Sequence, residues 1–142
     1  MIEPHWLSRI QVEAIHDNLV CQHGGLPGIR DENALEASVA RPINLFLHGQ
    51  PDIPSLAATY AHGIANNHPF LDGNKRTAFV VADVFLKWNG FAFSMTEREA
   101  VTVMVNLAAG TLSQLEFAEY IRKNIKKGAE ERAWIKARKR RD

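Results

Sequence analysis

The chain has 142 residues, 46% of them hydrophobic, with 17 lysines and arginines against 16 acidic residues and a formal net charge of +1. That length and composition fit one domain able to bury its own core and exclude disorder of the whole chain. The single cysteine, Cys21, cannot form an internal disulfide, no apolar run approaches the roughly 18 residues of a membrane helix, and the first six residues lack the pattern of a secretory signal, so a cytoplasmic location is expected. The charge is unevenly spread. Residues 122–142 carry ten basic and three acidic groups, which leaves residues 1–121 with six more acidic than basic groups.

From about residue 6 to residue 23, Leu7, Ile10, Ala14, Ile15 and Leu19 recur at helical spacings. Gly24-Gly25-Leu26-Pro27-Gly28 stops that helix, because glycine adds backbone entropy and proline removes a donor. Asp31 is placed to cap a second helix with Leu35, Val39, Pro42, Ile43 and Phe46 on its apolar side, and Pro42 is expected to kink it or end it early. Ser55 is the candidate cap of a third helix, with Leu56, Tyr60 and Ile64 four apart. That helix should stop at Asn66-Asn67-His68-Pro69, since the residue before a proline is pushed out of helical geometry.

Residues 77–88 are apolar on nearly every face, which predicts a central, buried helix with Gly90 as its stop. Thr96-Glu97-Arg98-Glu99 and Ser113-Gln114-Leu115-Glu116 match the capping box, the second with Leu112 and Phe117 at the staple positions. Ala100, Val103, Met104, Leu107 and Ala108 form one apolar face between them, closed by Gly110. The expectation is about six helices with one or two short extended pieces. Residues 128–142 are polar and basic around Trp134 and read as a frayed helix or a disordered tail.

The stretch His68-Pro69-Phe70-Leu71-Asp72-Gly73-Asn74-Lys75-Arg76 opens the helix predicted to be central. A helix N-terminus carries partial positive charge, so Lys75 and Arg76 in its first turn are unfavourable by a few tenths of a kcal/mol each, roughly, unless an anion is bound. Gly73 lets the backbone approach closely, and free amides with two cations suit a phosphate chain. His68 has the side chain suited to taking a proton near neutrality, and Asp72 beside a polyphosphate suits a magnesium anchor. Phe70 is a core plug that holds the loop. Taken singly, Asp72 and Asn74 read as caps, His68 as a turn histidine and Arg76 as a surface charge; the combination within nine residues is what points to chemistry.

These nine residues resemble the signature of the Fic/Doc (Fido) superfamily, H-x-F-x-[D/E]-G-N-G-R, in its death-on-curing form with Lys in place of the last Gly. Gly24-Gly25-Leu26-Pro27-Gly28-Ile29-Arg30-Asp31, Ala34-Leu35-Glu36-Ala37, Lys75-Arg76-Thr77-Ala78, Phe85-Leu86 and Asn89-Gly90 are similar to the same branch, and the likeness covers about residues 6–125. It implies an all-α Fic/Doc fold over residues 1–127, about six helices around a central buried helix, with a short extended flap. It also implies transfer of the terminal phosphate of ATP to a protein hydroxyl, with elongation factor Tu as the target and inhibition of translation as the result. On that resemblance His68 is the general base, Asp72 the Mg2+ ligand, Gly73, Asn74, Lys75 and Arg76 the phosphate cradle, and Leu26, Pro27, Gly28 and Ile29 the flap that docks the target.

AMP transfer is the alternative reaction. It is disfavoured because Phe79 stands where AMP-transferring members have a second arginine. No [S/T]-x-x-x-E-[G/N] self-inhibitory pattern is present, so restraint is expected from an antitoxin in trans. A nucleic-acid binding module using the basic tail is a further alternative, although the tail has no interleaved aromatics apart from Trp134. Metal-dependent hydrolysis is disfavoured because His62 and His68 lack same-face spacing, and no P-loop pattern occurs.

Overall fold

The computed structural model describes residues 3–49 and 51–127; the expectation for the tail at 128–142 lies outside the described residues. Among the described residues six helices follow in order: α1 (Arg9–His23), α2 (Glu32–Gly49), α3 (Ile53–Asn67), α4 (Asn74–Trp88), α5 (Glu97–Ala109) and α6 (Gln114–Lys123). Two short strands, β1 (Phe91–Phe93) and β2 (Ile125–Lys127), pair antiparallel, with Phe91 opposite Lys127 and Phe93 opposite Ile125. The fold is all-α with this small sheet closing one side. No helix of the described residues is long and apolar enough to cross a membrane.

The most enclosed helix is α3, which packs against α2, α4, α5 and α6. Leu56, Ala57, Ala58, Tyr60, Ala61, Ile64 and Ala65 are all fully buried, and the small residues among them let the neighbouring helices come close. Helix α4 shares the centre through Thr77, Ala78, Val81, Ala82, Phe85 and Leu86. The N-terminal segment is strapped onto this pair. The Tyr60 hydroxyl accepts from Leu7 N–H and donates to Leu7 O, both at 3.0 Å, while Asn89 bonds both backbone groups of His5.

Several local expectations are corrected. Helix α1 begins at Arg9, because Ser8 and Gln11 form a full capping box, and it buries Val12 and His16 while Ile10 is 76% exposed. Helix α2 runs on through Pro42. The bond lost there is outweighed by packing, since Leu35, Ser38, Pro42 and Phe46 are buried and Ser38 lies against Gly63, where an added Cβ would meet the Ser38 Cα at 3.3 Å. The cap of α3 is Asp52, whose Oδ1 accepts from Ser55 N–H at 3.0 Å, so Ser55 is the residue capped. Ser113 forms the expected capping box with Glu116. Thr96 caps α5, and the Glu99 carboxylate accepts from the Thr96 and Tyr120 hydroxyls.

Arg122 opens the basic block seen in the sequence, yet it belongs to the body: its guanidinium is bidentate to Asp52 at 2.7 and 3.1 Å and ties α6 to the start of α3.

Candidate active site

Helix α3 ends at Asn67, and His68 takes the left-handed conformation at φ 48°, the one positive φ outside glycine among the described residues. Arg30 secures that turn. Its Nε donates to His68 O at 2.6 Å and its Nη2 to Asn67 O at 2.8 Å, placing a cation on the negative end of α3. Pro69 and Phe70 are buried, so the loop is anchored in the core between an exposed His68 and an exposed Asp72. Asn74 reaches back four residues: its Oδ1 accepts from Phe70 N–H and its Nδ2 donates to Phe70 O, both at 3.0 Å. The Asn74 side chain is thereby committed to the loop, and what it offers a ligand is its backbone amide. Beneath Phe70 lies His16, which is 1% exposed.

Asp72 is held on both carboxylate oxygens. Oδ1 accepts from Gly73 N–H at 2.9 Å and Oδ2 from Leu26 N–H at 3.2 Å. The second bond joins the site to the glycine-rich segment, which runs alongside the loop: Ile29 forms an antiparallel bridge with Phe70, Leu71 N–H donates to Gly28 O at 3.1 Å, and Arg30 N–H donates to Pro69 O at 2.7 Å. Leu26 and Leu71 stand exposed on either side of this contact. Among the described residues no three His, Cys, Asp or Glu side chains gather as a metal cluster. The residues do fit a Mg2+ that takes one protein carboxylate and fills its other positions with phosphate oxygens and water, because each Asp72 oxygen keeps acceptor capacity beyond its one backbone donor.

The start of α4 differs from every other helix start. Ser8, Asp31, Asp52, Thr96 and Ser113 each accept a backbone N–H at the starts of the other five helices. Helix α4 begins at Gly73, φ 74°, with no side-chain cap. Its first amides, on Asn74, Lys75 and Arg76, have no acceptor among the described residues, and neither the Lys75 nor the Arg76 side chain forms an ion pair there. These groups line a cleft of about 650 Å³ together with Asp72 and Gly73, and most of the remaining lining is apolar: Phe79 and Val80 of the same helix, Leu19 of α1, Met95, and Val101 and Met104 of α5. Phe79 thus faces the cleft one turn beyond Arg76.

The fold therefore brings together Asp72, Gly73, Asn74, Lys75 and Arg76 on the cleft and sets Leu26, Gly28 and Ile29 against the loop. His68 stands on the exposed turn at the end of α3, outside the lining of that cleft. Reasoning from sequence missed Arg30 and His16. Arg30 had a weak signal in its place next to the glycine segment; His16 had none, as one histidine among six.

The Fic/DOC family matches residues 6–86 of this sequence. The chain belongs to that family. This Fic/DOC chain is 32% identical over 118 residues to "Protein kinase doc" of Escherichia phage P1, a match covering 82% of the chain and 93% of that relative. It is 43% identical over 70 residues to "Toxin Doc" of Mycolicibacterium smegmatis, covering 47% of the chain and 53% of that relative. Both likenesses place it in the Doc branch of the Fic/DOC family.

Proposed function

We propose that this chain is the toxin of a toxin–antitoxin module and transfers the terminal phosphate of ATP to a hydroxyl of a target protein in the cytoplasm. The observation that carries this reading is the uncapped start of α4, where three amides and two cations, without partners among the described residues, meet one exposed carboxylate on the lining of a cleft. A phosphate chain satisfies those amides and neutralises those cations at once. The names of the two relatives, one a kinase and both Doc, support the same reading.

In this reading Gly73, Asn74, Lys75 and Arg76 hold the phosphates, Asn74 through its amide, and Asp72 holds Mg2+. When bound, the metal supplies charge neutralisation on the phosphate oxygens. His68 takes the proton of the target hydroxyl; its imidazole has no hydrogen-bond partner among the described residues and is open to an incoming chain. The segment Leu26, Pro27, Gly28 and Ile29 aligns the target beside the loop. Elongation factor Tu is the target that the family resemblance implies, and the antitoxin acts in trans. Phosphate rather than AMP transfer is favoured because Phe79 puts an uncharged ring on the cleft wall where AMP-transferring relatives carry a second arginine.

The test is the mass of elongation factor Tu after incubation with the protein, ATP and Mg2+. Gain of one phosphate is expected. Gain of AMP would replace phosphate transfer with the alternative reaction, and an unmodified factor would remove it as the target.

A further inference from the structure

We propose that His16 is a positioning residue for the loop at 70–73, fixing the peptide unit that aims Asp72. His16 lies in the middle of α1 and is 1% exposed. If that place needed only filling, a leucine or phenylalanine would do so without the cost of burying a polar ring. Besides the approach of its Nδ1 to Asp17 Oδ1 at 3.9 Å, the ring makes two directed contacts with the loop. It lies parallel to Phe70 at 3.8 Å between centroids and 5° between planes, and its Nε2–H donates to Asp72 O at 2.8 Å.

The carbonyl it holds and the Gly73 amide belong to one peptide unit, and that amide donates to Asp72 Oδ1 at 2.9 Å. His16 therefore grips the oxygen end of the unit while the nitrogen end grips the carboxylate. The need for such a grip comes from Gly73. At φ 74° glycine is favoured, but glycine also frees the preceding peptide to rotate. Rotation would carry the Gly73 N–H away from Asp72 and turn a carbonyl toward the free amides at the start of α4. The Nε2 bond opposes that rotation, and the stack on Phe70 fixes the ring that makes the bond.

The effect on rate rests on the phosphotransfer reading; the effect on the peptide unit does not. Two variants separate positioning from filling. His16→Phe keeps the aromatic stack and loses the donor, whereas His16→Gln keeps a donor at the reach of Nε2 and loses the stack. Each full-length variant is measured for thermal unfolding, for kcat and KM of phosphate transfer, and for the 1H–15N resonance of the Gly73 amide. Positioning predicts opposite orders. His16→Phe melts near the parent, loses about tenfold or more in kcat with little change in the KM for the target, and shifts the Gly73 resonance; His16→Gln melts lower yet recovers most of the kcat and the resonance. A packing role predicts that His16→Gln is the worse variant in every readout, and that result overturns the proposal, as does an unmoved Gly73 resonance in His16→Phe. If the parent transfers no phosphate, the phosphotransfer reading falls and the Gly73 resonance alone decides the role of His16.

Discussion

The backbone of Gly25 passes so close to Asp72 that a Cβ on it would lie 2.9 Å from the carboxylate Oδ2, and Gly25 itself sits at φ 112°. The close approach is what lets the next residue, Leu26, donate its N–H to the same oxygen. Gly25→Ala should therefore displace the segment from the loop, at about 1–2 kcal/mol for the left-handed backbone plus the contact. The expected outcome is a small fall in melting temperature and about a tenfold fall in transfer rate. Equal rates for parent and variant would show that the contact does not matter to the site.

Asn74 predicts a different pattern. Its two bonds to Phe70 close the loop, and each contributes about 1 kcal/mol net. Asn74→Ala should lower stability by about 2 kcal/mol, read by urea unfolding, and weaken ATP binding through disorder of the loop. Asn74→Asp keeps an acceptor for the Phe70 amide, so it should recover part of the stability while its charge weakens ATP binding further.

Much of this fold is legible in the sequence because its signals are local. Asp31, Thr96 and Ser113 cap the helices that they precede, Pro69 and Gly73 bound the loop, and the nine residues at 68–76 are contiguous. What is not legible depends on partners distant in the chain. Asp52 and Ser55 are both good caps three residues apart; Asp52 takes the role with Pro54 in the first turn, and Arg122, on α6, bonds both side chains. Pro42 remains helical, buried in a helix that packs along α3, and the buried face of α1 is set by α4 and Phe70 rather than by its own weak stripe. His16 and Asp72 are 56 residues apart, so no spacing rule connects them.

The Asp52–Arg122 pair sets a pH dependence. Burial pushes the Asp52 carboxyl up, but hydrogen bonds from Arg122 and Ser55 outweigh it and hold the group at about 2, below its ordinary 3.8. The folded pKa is depressed, so this contribution is complete above the unfolded value of 3.8 and is lost as pH falls toward about 2. Asp52→Asn keeps the helix cap and removes the titration. Its unfolding free energy should fall less steeply than the parent's across that window, and parallel curves would refute the assignment.

Lys75 and Arg76 should act on ligand binding and not on folding, since neither side chain has an ion-pair partner among the described residues. Lys75→Met and Arg76→Met should leave the melting temperature within a few degrees of the parent. Each should weaken ATP binding by about tenfold or more, the scale of one charge-assisted hydrogen bond. Calorimetric titration with ATP and Mg2+ checks both.

On the proposed function, His68 takes the proton of the target hydroxyl as the terminal phosphate is transferred. The direct measurement uses ATP labelled on the γ-phosphate with the parent and with His68→Ala, following label on elongation factor Tu over time. The γ-label should reach the factor with the parent, and His68→Ala should slow this by at least about a hundredfold. Transfer by His68→Ala at the parent's rate would remove His68 as the base.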